Sequence, residues 1–217
     1  MVMLGLNIAK VFGQRWWIVC SLFLCFSCNE VQKSVPYYIT PDLSPTWNIK
    51  ELKGNVHSID TFTFTNHNGA EFGSKQLAGK IYLANFFFTS CPSICPKMSN
   101  NILEVARHYV ESDRVQIVSF SVTPDIDSVP KLKQYHEIYA MGKHWNLLTG
   151  NQNDIYKLAR HSFYVEEEFG LSLDKDEFLH TERCILIDEN GHIRGVYNAT
   201  VALDMERIID DIDLLLN

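Results

Sequence analysis

The composition of this chain describes a folded, acidic protein. Its 217 residues are 46% hydrophobic and 21% charged, with a formal net charge of −7 at pH 7. These proportions are typical of a globular protein, and the length gives one ordinary domain enough residues for a core. The acidic balance and the lack of a basic stripe argue against a nucleic-acid partner.

The first 27 residues have the pattern of an export signal. Lys10 and Arg15 precede an apolar run over 16–26, after which come a small residue and Cys28. This run is shorter than the roughly 20 residues of a membrane-spanning helix. The end of the segment is similar to a bacterial lipobox, which predicts cleavage and a lipid on Cys28. The alternative is an uncleaved membrane anchor, and either one places the protein in the bacterial cell envelope, on the exported (periplasmic) face of a membrane.

The next segment, residues 28–53, is interpreted as the lipidated N-terminus and a tether. It contains scattered polar residues without periodicity and three prolines: Pro36, Pro41 and Pro45. The folded domain is then expected over residues 54–217.

The domain opens with a hairpin pattern and continues with alternating strands and helices. Phe62 and Phe64 alternate with threonines before an Asn-His-Asn-Gly turn over 66–69. The patterns that follow predict strands over 81–88, 115–122 and 145–148, each followed by a helix, with helices beginning near Pro96, Asp127 and Asp154.

The C-terminal part predicts a second hairpin and a last helix. Strands are expected over 183–187 and 193–197, and a helix over 205–216. Residues 162–179 show no period and contain an acidic run at 166–168. This stretch is either a lid or docking surface, or a solvated acidic loop.

This order of elements predicts an α/β sandwich of thioredoxin type. The fold would carry an N-terminal β-hairpin extension and a loop inserted before the C-terminal hairpin. Strand 183–187 is expected to run antiparallel to strand 81–88. Its N-terminal end would then lie at the carboxyl end of strand 81–88, where open α/β sheets place their sites.

Cys91 and Cys95 follow strand 81–88 and lie at the start of the predicted helix. Side chains four residues apart on a helix are neighbours, roughly 5–6 Å apart at Cβ, so two thiols there can bind one metal ion or form a disulfide. The helix N-terminus favours thiolate over thiol. A purely structural disulfide would close a very short loop and stabilise little. The pattern therefore indicates thiol redox chemistry or capture of a soft metal.

A third ligand would extend the range of metals. Two thiolates suit Cu(I), whereas Cu(II) needs a nitrogen ligand. Of the eight histidines, His180 has the favourable position, just before strand 183–187. Zinc is a rival, although three ligands leave its fourth position open. Cys184 and Met98 are interpreted as core residues, with a resolving thiol and a third soft ligand as the respective alternatives.

Four sequence blocks resemble the Sco/SenC family of copper-binding, thioredoxin-like proteins. The strongest is Phe-Thr-Ser-Cys-Pro-Ser-Ile-Cys-Pro over 88–96, in which three residues separate the cysteines and a proline follows each. The blocks at 119–125, 145–150 and 180–191 occur in the same order as in the family. The resemblance covers roughly residues 56–216.

The resemblance implies a site and a task. Cys91 and Cys95 would be thiolate ligands and His180 an imidazole ligand for copper, as Cu(I) or Cu(II). The protein would be a membrane-tethered copper chaperone that assists assembly of the binuclear copper site of cytochrome c oxidase, with the oxidase copper subunit or another cuproprotein as partner. The alternative is a thiol–disulfide oxidoreductase in which Cys91 attacks and Cys95 resolves. A thiol peroxidase is a third hypothesis for the function.

The chain departs from the family pattern at two positions. Ser93 stands where many members have an acid, and Thr123 precedes Pro124 where many members have Asp-Pro. Neither departure removes a ligand. Any role that those acids have in other members is therefore not expected here.

Overall fold

A seven-stranded mixed sheet forms the centre of the domain in the computed structural model, which describes residues 34–48, 56–165 and 181–217. In chain order the strands are β1 (Tyr37–Tyr38), β2 (Pro45–Thr46), β3 (Thr63–Asn66), β4 (Glu71–Gly73), β5 (Ile81–Phe87), β6 (Val115–Ser121), β7 (Trp145–Thr149), β8 (Arg183–Ile187) and β9 (Ile193–Asn198). The helices are α1 (Ser74–Leu77), α2 (Ile94–His108), α3 (Val129–Ile138), α4 (Gln152–His161) and α5 (Ala202–Leu216).

The strand order of the sheet is β4-β3-β7-β6-β5-β8-β9. Strands β5, β6 and β7 are parallel, while β8 is antiparallel to β5 and β3 is antiparallel to β7. Hairpins join β3 to β4 and β8 to β9. The predicted succession of elements and the antiparallel return of β8 beside β5 are confirmed.

The central strand β5 is covered on both faces. All seven of its residues are buried, and successive side chains enter two different hydrophobic clusters. Leu83 packs in the cluster formed with α2, α3 and α5, and Ala84 in the cluster formed with α1 and α4. Full burial of a side chain such as that of Leu83 contributes about 2 kcal/mol, so a continuous apolar run stabilises a strand in this position.

A chain of buried polar groups crosses the three parallel strands. The Ser119 hydroxyl on β6 donates to Oδ1 of Asn85 on β5 at 2.6 Å, and the Trp145 indole N–H on β7 donates to the Ser119 hydroxyl at 2.8 Å. Burying polar groups is costly unless they are paired, so these contacts oppose a slip of strand register.

Residues 34–48, termed the N-terminal strap, form a two-stranded ribbon in which β1 packs against β9. Arg194 on β9 donates to the carbonyl oxygens of Val35 at 2.6 Å and Pro36 at 3.0 Å, and its guanidinium lies 3.8 Å from the centre of the Tyr37 ring. Asp188 accepts from the same guanidinium at 3.0 Å. This part of the expected tether is therefore packed against the domain.

Several predictions fall outside the described residues. These are the export segment 1–27, the lipid site Cys28 and most of the patternless stretch 162–179. Across the three ranges that the structure does describe, none of the helices has an apolar stretch long enough to cross a membrane.

Candidate metal centre

The cysteine pair lies between the carboxyl end of β5 and the first turn of α2. Cys91 belongs to the loop 88–93, and Cys95 is the second residue of the helix. The expectation that both thiols share one helix face is therefore corrected: Cys91 precedes the helix. The reason is Pro92, because a residue followed by proline is disfavoured in helical conformation. Pro96, in contrast, falls in the first helical turn, where its missing N–H costs no hydrogen bond.

The sulfur of Cys91 interacts with the open end of α2. The backbone N–H of Cys95 donates to Cys91 Sγ at 3.4 Å. First-turn N–H groups have no partner within their own helix, and in many helices a side-chain oxygen accepts from one of them. Here a thiol sulfur takes that position, and the Ser93 side chain, at the N-cap, makes no capping hydrogen bond. Both thiols are free and buried, with Cys91 9% exposed and Cys95 3% exposed.

The surroundings of Cys91 favour its thiolate. Burial raises the pKa of the Cys91 thiol, but backbone N–H groups at the start of α2 and the Cys95 thiol donate hydrogen bonds to its sulfur, and together they hold the pKa below its ordinary value. Cys91 is consequently the thiol that ionises more readily, which is the requirement for a nucleophile or a metal ligand.

Cys95 has the opposite character. Burial raises the pKa of the Cys95 thiol to about 12; a hydrogen bond from the backbone of Phe88 opposes this shift, while the nearby Cys91 and the Asp127 carboxylate add to it. Cys95 therefore keeps its proton until a metal ion or a sulfur–sulfur bond replaces that proton.

The third predicted ligand, His180, lies outside the described residues. In the described part of β8, Cys184 pairs with Asn85, so the amino end of this strand lies beside the carboxyl half of β5, as expected. Within the described ranges, no group of three or more His, Cys, Asp or Glu side chains could hold a metal ion. The structure thus brings together two of the three predicted ligands.

Cys184 and Met98 are core residues, as predicted. Cys184 is fully buried, its thiol lies 3.8 Å from the carbonyl oxygen of Tyr197, and burial raises its pKa. Met98 is 1% exposed and packs in the cluster on the α2 side of the sheet.

A buried carboxylate beside the cysteine loop was not anticipated from the sequence. Asp127 is fully buried and accepts hydrogen bonds from the Thr89 backbone N–H at 3.1 Å and from the Thr89 hydroxyl. The hydroxyls of Ser121 at 2.7 Å and Thr123 at 3.1 Å donate to Oδ2, the oxygen that also accepts the Thr89 backbone N–H. The sequence pattern treats Asp127 as the opening of α3, and the run of hydroxyl residues near it was the signal that could have indicated the cluster.

Comparison with known proteins identifies the family. The family model described as SCO1/SenC matches residues 50–217. A SCO1/SenC family lipoprotein from Bacillus anthracis is 34% identical, with a TM-score of 0.65 over 74% of this chain and 96% of that protein. BsSco, described as a member of the Sco family of cytochrome c oxidase assembly proteins, is 28% identical, with a TM-score of 0.62 over 73% of this chain and 93% of that one.

A third solved structure is that of Bradyrhizobium japonicum ScoI with copper bound. It is 28% identical, with a TM-score of 0.55 over 70% of this chain and 98% of that one. These similarities confirm the predicted thioredoxin-like α/β fold. The match of the family model over most of the chain, together with the cysteine pair at the end of β5, shows that this protein belongs to the SCO1/SenC family.

Proposed function

We propose that this protein is a copper chaperone that binds copper through Cys91, Cys95 and His180 and assists assembly of the binuclear copper site of cytochrome c oxidase. The observation that carries the proposal is the pair of free, buried thiols at the amino end of α2. Copper is the cargo of this site, and the recipient is the oxidase copper subunit or another cuproprotein.

The chemistry of the donor set supports copper. Thiolates are soft ligands that select Cu(I), and an added imidazole suits Cu(II). Cys91 is already biased toward thiolate, whereas Cys95 releases its proton when the metal binds. A disulfide between the two sulfurs would remove both ligands, so the redox state of the pair controls loading.

The relatives support the same task. The similar ScoI of Bradyrhizobium japonicum was solved with copper bound, and the similar BsSco is described as a cytochrome c oxidase assembly protein. The similar Bacillus anthracis protein is described as a lipoprotein, which supports a membrane tether. The proposed organisation is an export or membrane segment over 1–27, a segment over 28–53 that starts at lipidated Cys28 and contains the strap packed on the domain, and the binding domain over 54–217.

The test is Cu(II) binding to the reduced protein, followed by absorption and electron paramagnetic resonance. We expect about one copper per protein and a sulfur-to-copper charge-transfer band. His180→Ala should lose Cu(II) binding and weaken Cu(I) binding less. His108→Ala is the matched control, because His108 is exposed near the far end of α2 and should bind as wild type does.

Two results would contradict the proposal. Unchanged Cu(II) binding in His180→Ala would remove His180 from the ligand set. No copper binding by folded protein with both thiols reduced would exclude the chaperone function.

The difference in pKa between the two thiols favours a second candidate, a thiol–disulfide oxidoreductase. The Cys91 thiolate would attack a substrate disulfide, form a mixed disulfide and release one substrate thiolate. Cys95, after giving up its proton, would then displace the second substrate thiolate and leave a Cys91–Cys95 disulfide. Reduction of a protein disulfide that survives both His180→Ala and copper chelation would support this function over the first.

A further inference from the structure

We propose that Asp127 is a positioning residue for the cysteine pair and acts through Thr89. Its carboxylate holds the loop that carries Cys91 in the arrangement that the dithiol site requires. The inference deepens the proposed function, because it concerns the same Cys91–Cys95 site.

Asp127 joins two loops at the carboxyl edge of the sheet. From the loop after β5, Thr89 donates both its backbone N–H, at 3.1 Å, and its hydroxyl. From the end of β6, the hydroxyls of Ser121 and Thr123 donate to Oδ2 of the same carboxylate. A fully buried carboxylate with four donors has a fixed orientation, so it transmits the position of one loop to the other.

The contact with Thr89 lies two residues from the first thiol. On the amino side of Thr89, the backbone N–H of Val122 donates to the carbonyl oxygen of Phe87 at 2.9 Å, which ties the end of β5 to the end of β6. Across Thr89, the backbone N–H of Cys91 donates to the carbonyl oxygen of Phe88 at 3.3 Å. The first bond anchors the start of the turn and the second closes the turn itself, so Thr89 is the point at which a side chain secures the turn to the neighbouring loop.

The second thiol is placed by a different part of the structure. Cys95 belongs to α2, whose inner face packs in the core through residues such as Met98 and Ile102. The separation of the two sulfurs therefore depends on how the loop is held relative to the helix. Release of Thr89 from Asp127 would leave the helix in place and free the loop.

The Thr123 side chain also contributes to the surroundings of Asp127. A hydroxyl at this position donates to the Asp127 carboxylate at 3.1 Å. The amino group of the partly exposed Lys131 lies 3.8 Å from Oδ1 of Asp127. This chain thus surrounds one buried carboxylate with donors and a cation.

The test compares two matched substitutions in the reduced full-length protein. Thr89→Val and Thr123→Val each remove one hydroxyl donor from Asp127, but Thr89 alone of the two belongs to the cysteine loop. The first readout is the copper dissociation constant, with the absorption spectrum of the Cu(II) complex. The second needs no metal: it is the equilibrium constant for exchange of the Cys91–Cys95 dithiol with oxidised dithiothreitol.

We expect Thr89→Val to change both equilibrium constants about tenfold, as for loss of a hydrogen bond to a charged group. Thr123→Val should change them less than about twofold, although both variants lose similar stability. Thr89→Ser, which keeps the hydroxyl, should restore the wild-type values. If Thr89→Val does not fold, Asp127→Asn replaces it with the same expected changes.

Equal changes in the two valine variants, or wild-type behaviour of Thr89→Val, would overturn the positioning role. Failure of Thr89→Ser to restore the wild-type values would overturn it too. The metal-free readout separates this proposal from the chaperone function. If wild-type protein binds no copper but Thr89→Val still shifts the dithiol–disulfide equilibrium, the positioning role holds and the chaperone function fails.

Discussion

Cys91 and Cys95 are four residues apart, yet the protein gives their sulfurs different surroundings. Cys91 lies outside the helix and accepts from its first N–H groups, whereas Cys95 lies within the first turn against the core. A thiolate is stabilised at the first position and disfavoured at the second. Metal capture and disulfide exchange would both therefore begin at Cys91.

This difference predicts the order of alkylation by iodoacetamide. At pH 8, Cys91 in Cys95→Ser should react at least about tenfold faster than Cys95 in Cys91→Ser, because reactivity follows the thiolate fraction. The rate for Cys91 should level off at a lower pH than for an ordinary thiol, since its pKa is lowered. Mass spectrometry of quenched samples measures both rates. Faster modification of Cys95 would contradict the assignment.

The sequence was sufficient to select these two residues but not to describe their geometry. Their spacing and the strand before them indicated the site, because a buried strand that ends in two thiols is a strong local signal. The loop position of Cys91 depends on Pro92, and the carboxylate of Asp127 reaches Thr89 from 38 residues away. Contacts between residues so distant in sequence leave no periodic pattern to detect.

At the scale of elements, the polar chain through Asn85, Ser119 and Trp145 links three parallel strands. Ser119 is the central member, because it donates on one side and accepts on the other. Removal of its hydroxyl would leave the buried side-chain oxygen of Asn85 and the buried indole N–H of Trp145 without this partner.

Ser119→Ala should lower the free energy of unfolding by about 1–3 kcal/mol, the usual cost of unsatisfied buried groups. Copper binding of the folded variant should be unchanged, since the cysteine loop is not involved. Urea unfolding measures the loss. Ser128→Ala is the control, because the Ser128 side chain makes no capping hydrogen bond to α3. If Ser119→Ala loses no more stability than the control, the hydrogen bonds among Asn85, Ser119 and Trp145 do not stabilise the sheet as proposed.

A pair of histidines packs the β3–β4 turn against α3. The rings of His67 and His136 are stacked, with centres 4.1 Å apart and planes 14° apart. Burial lowers the pKa of His67 to about 4, with further contributions from His136 and Lys133. Burial also lowers the pKa of His136, against opposing backbone hydrogen bonds. The stacked pair is therefore neutral in the folded protein at pH 7.

This pair predicts a loss of stability in mild acid. The unfolded chain takes up protons near pH 6.5, whereas the folded His67 does so only near its pKa of about 4. The stabilisation is thus complete above pH 6.5 and is lost as pH falls toward 4, up to about 3 kcal/mol for His67. Urea unfolding at pH 7.5 and pH 5 measures the fall, which His67→Gln should reduce. If the free energy of unfolding falls equally in wild type and His67→Gln, groups other than His67 cause the loss.

At the scale of the whole molecule, the alternation of apolar strand patterns with helical patterns predicted the sheet and its crossovers. The signal was strong because each parallel strand is rich in the apolar residues that the core requires. The N-terminal strap was not predicted. Its prolines and polar residues show no period, and its attachment depends on Arg194, about 160 residues later in the chain. The short helix α1 was missed too, since four residues are too few for a helical pattern.

Arg194→Ala should release the strap. The change removes the donors to Val35 and Pro36 and leaves the buried Asp188 without its cation, at a cost of about 2 kcal/mol. Limited proteolysis should cut residues 34–48 faster than in wild type, while the copper affinity stays the same. Arg194→Lys should give an intermediate rate, because lysine keeps the charge but lacks the planar fork of donors. Unchanged proteolysis in Arg194→Ala would show that other contacts hold the strap.

The attachment of the strap has a mechanical consequence. Arg194 lies near the start of β9, beside the amino end of β5, whereas the cysteines follow the other end of that strand, about 20 Å away. A force applied through the strap would act first on the hydrogen bonds from Arg194 to Val35 and Pro36, before it reached the loop that carries Cys91. The domain could therefore be held through the strap on a surface or a sensor chip without strain on the cysteine loop, which lies at the other end of β5.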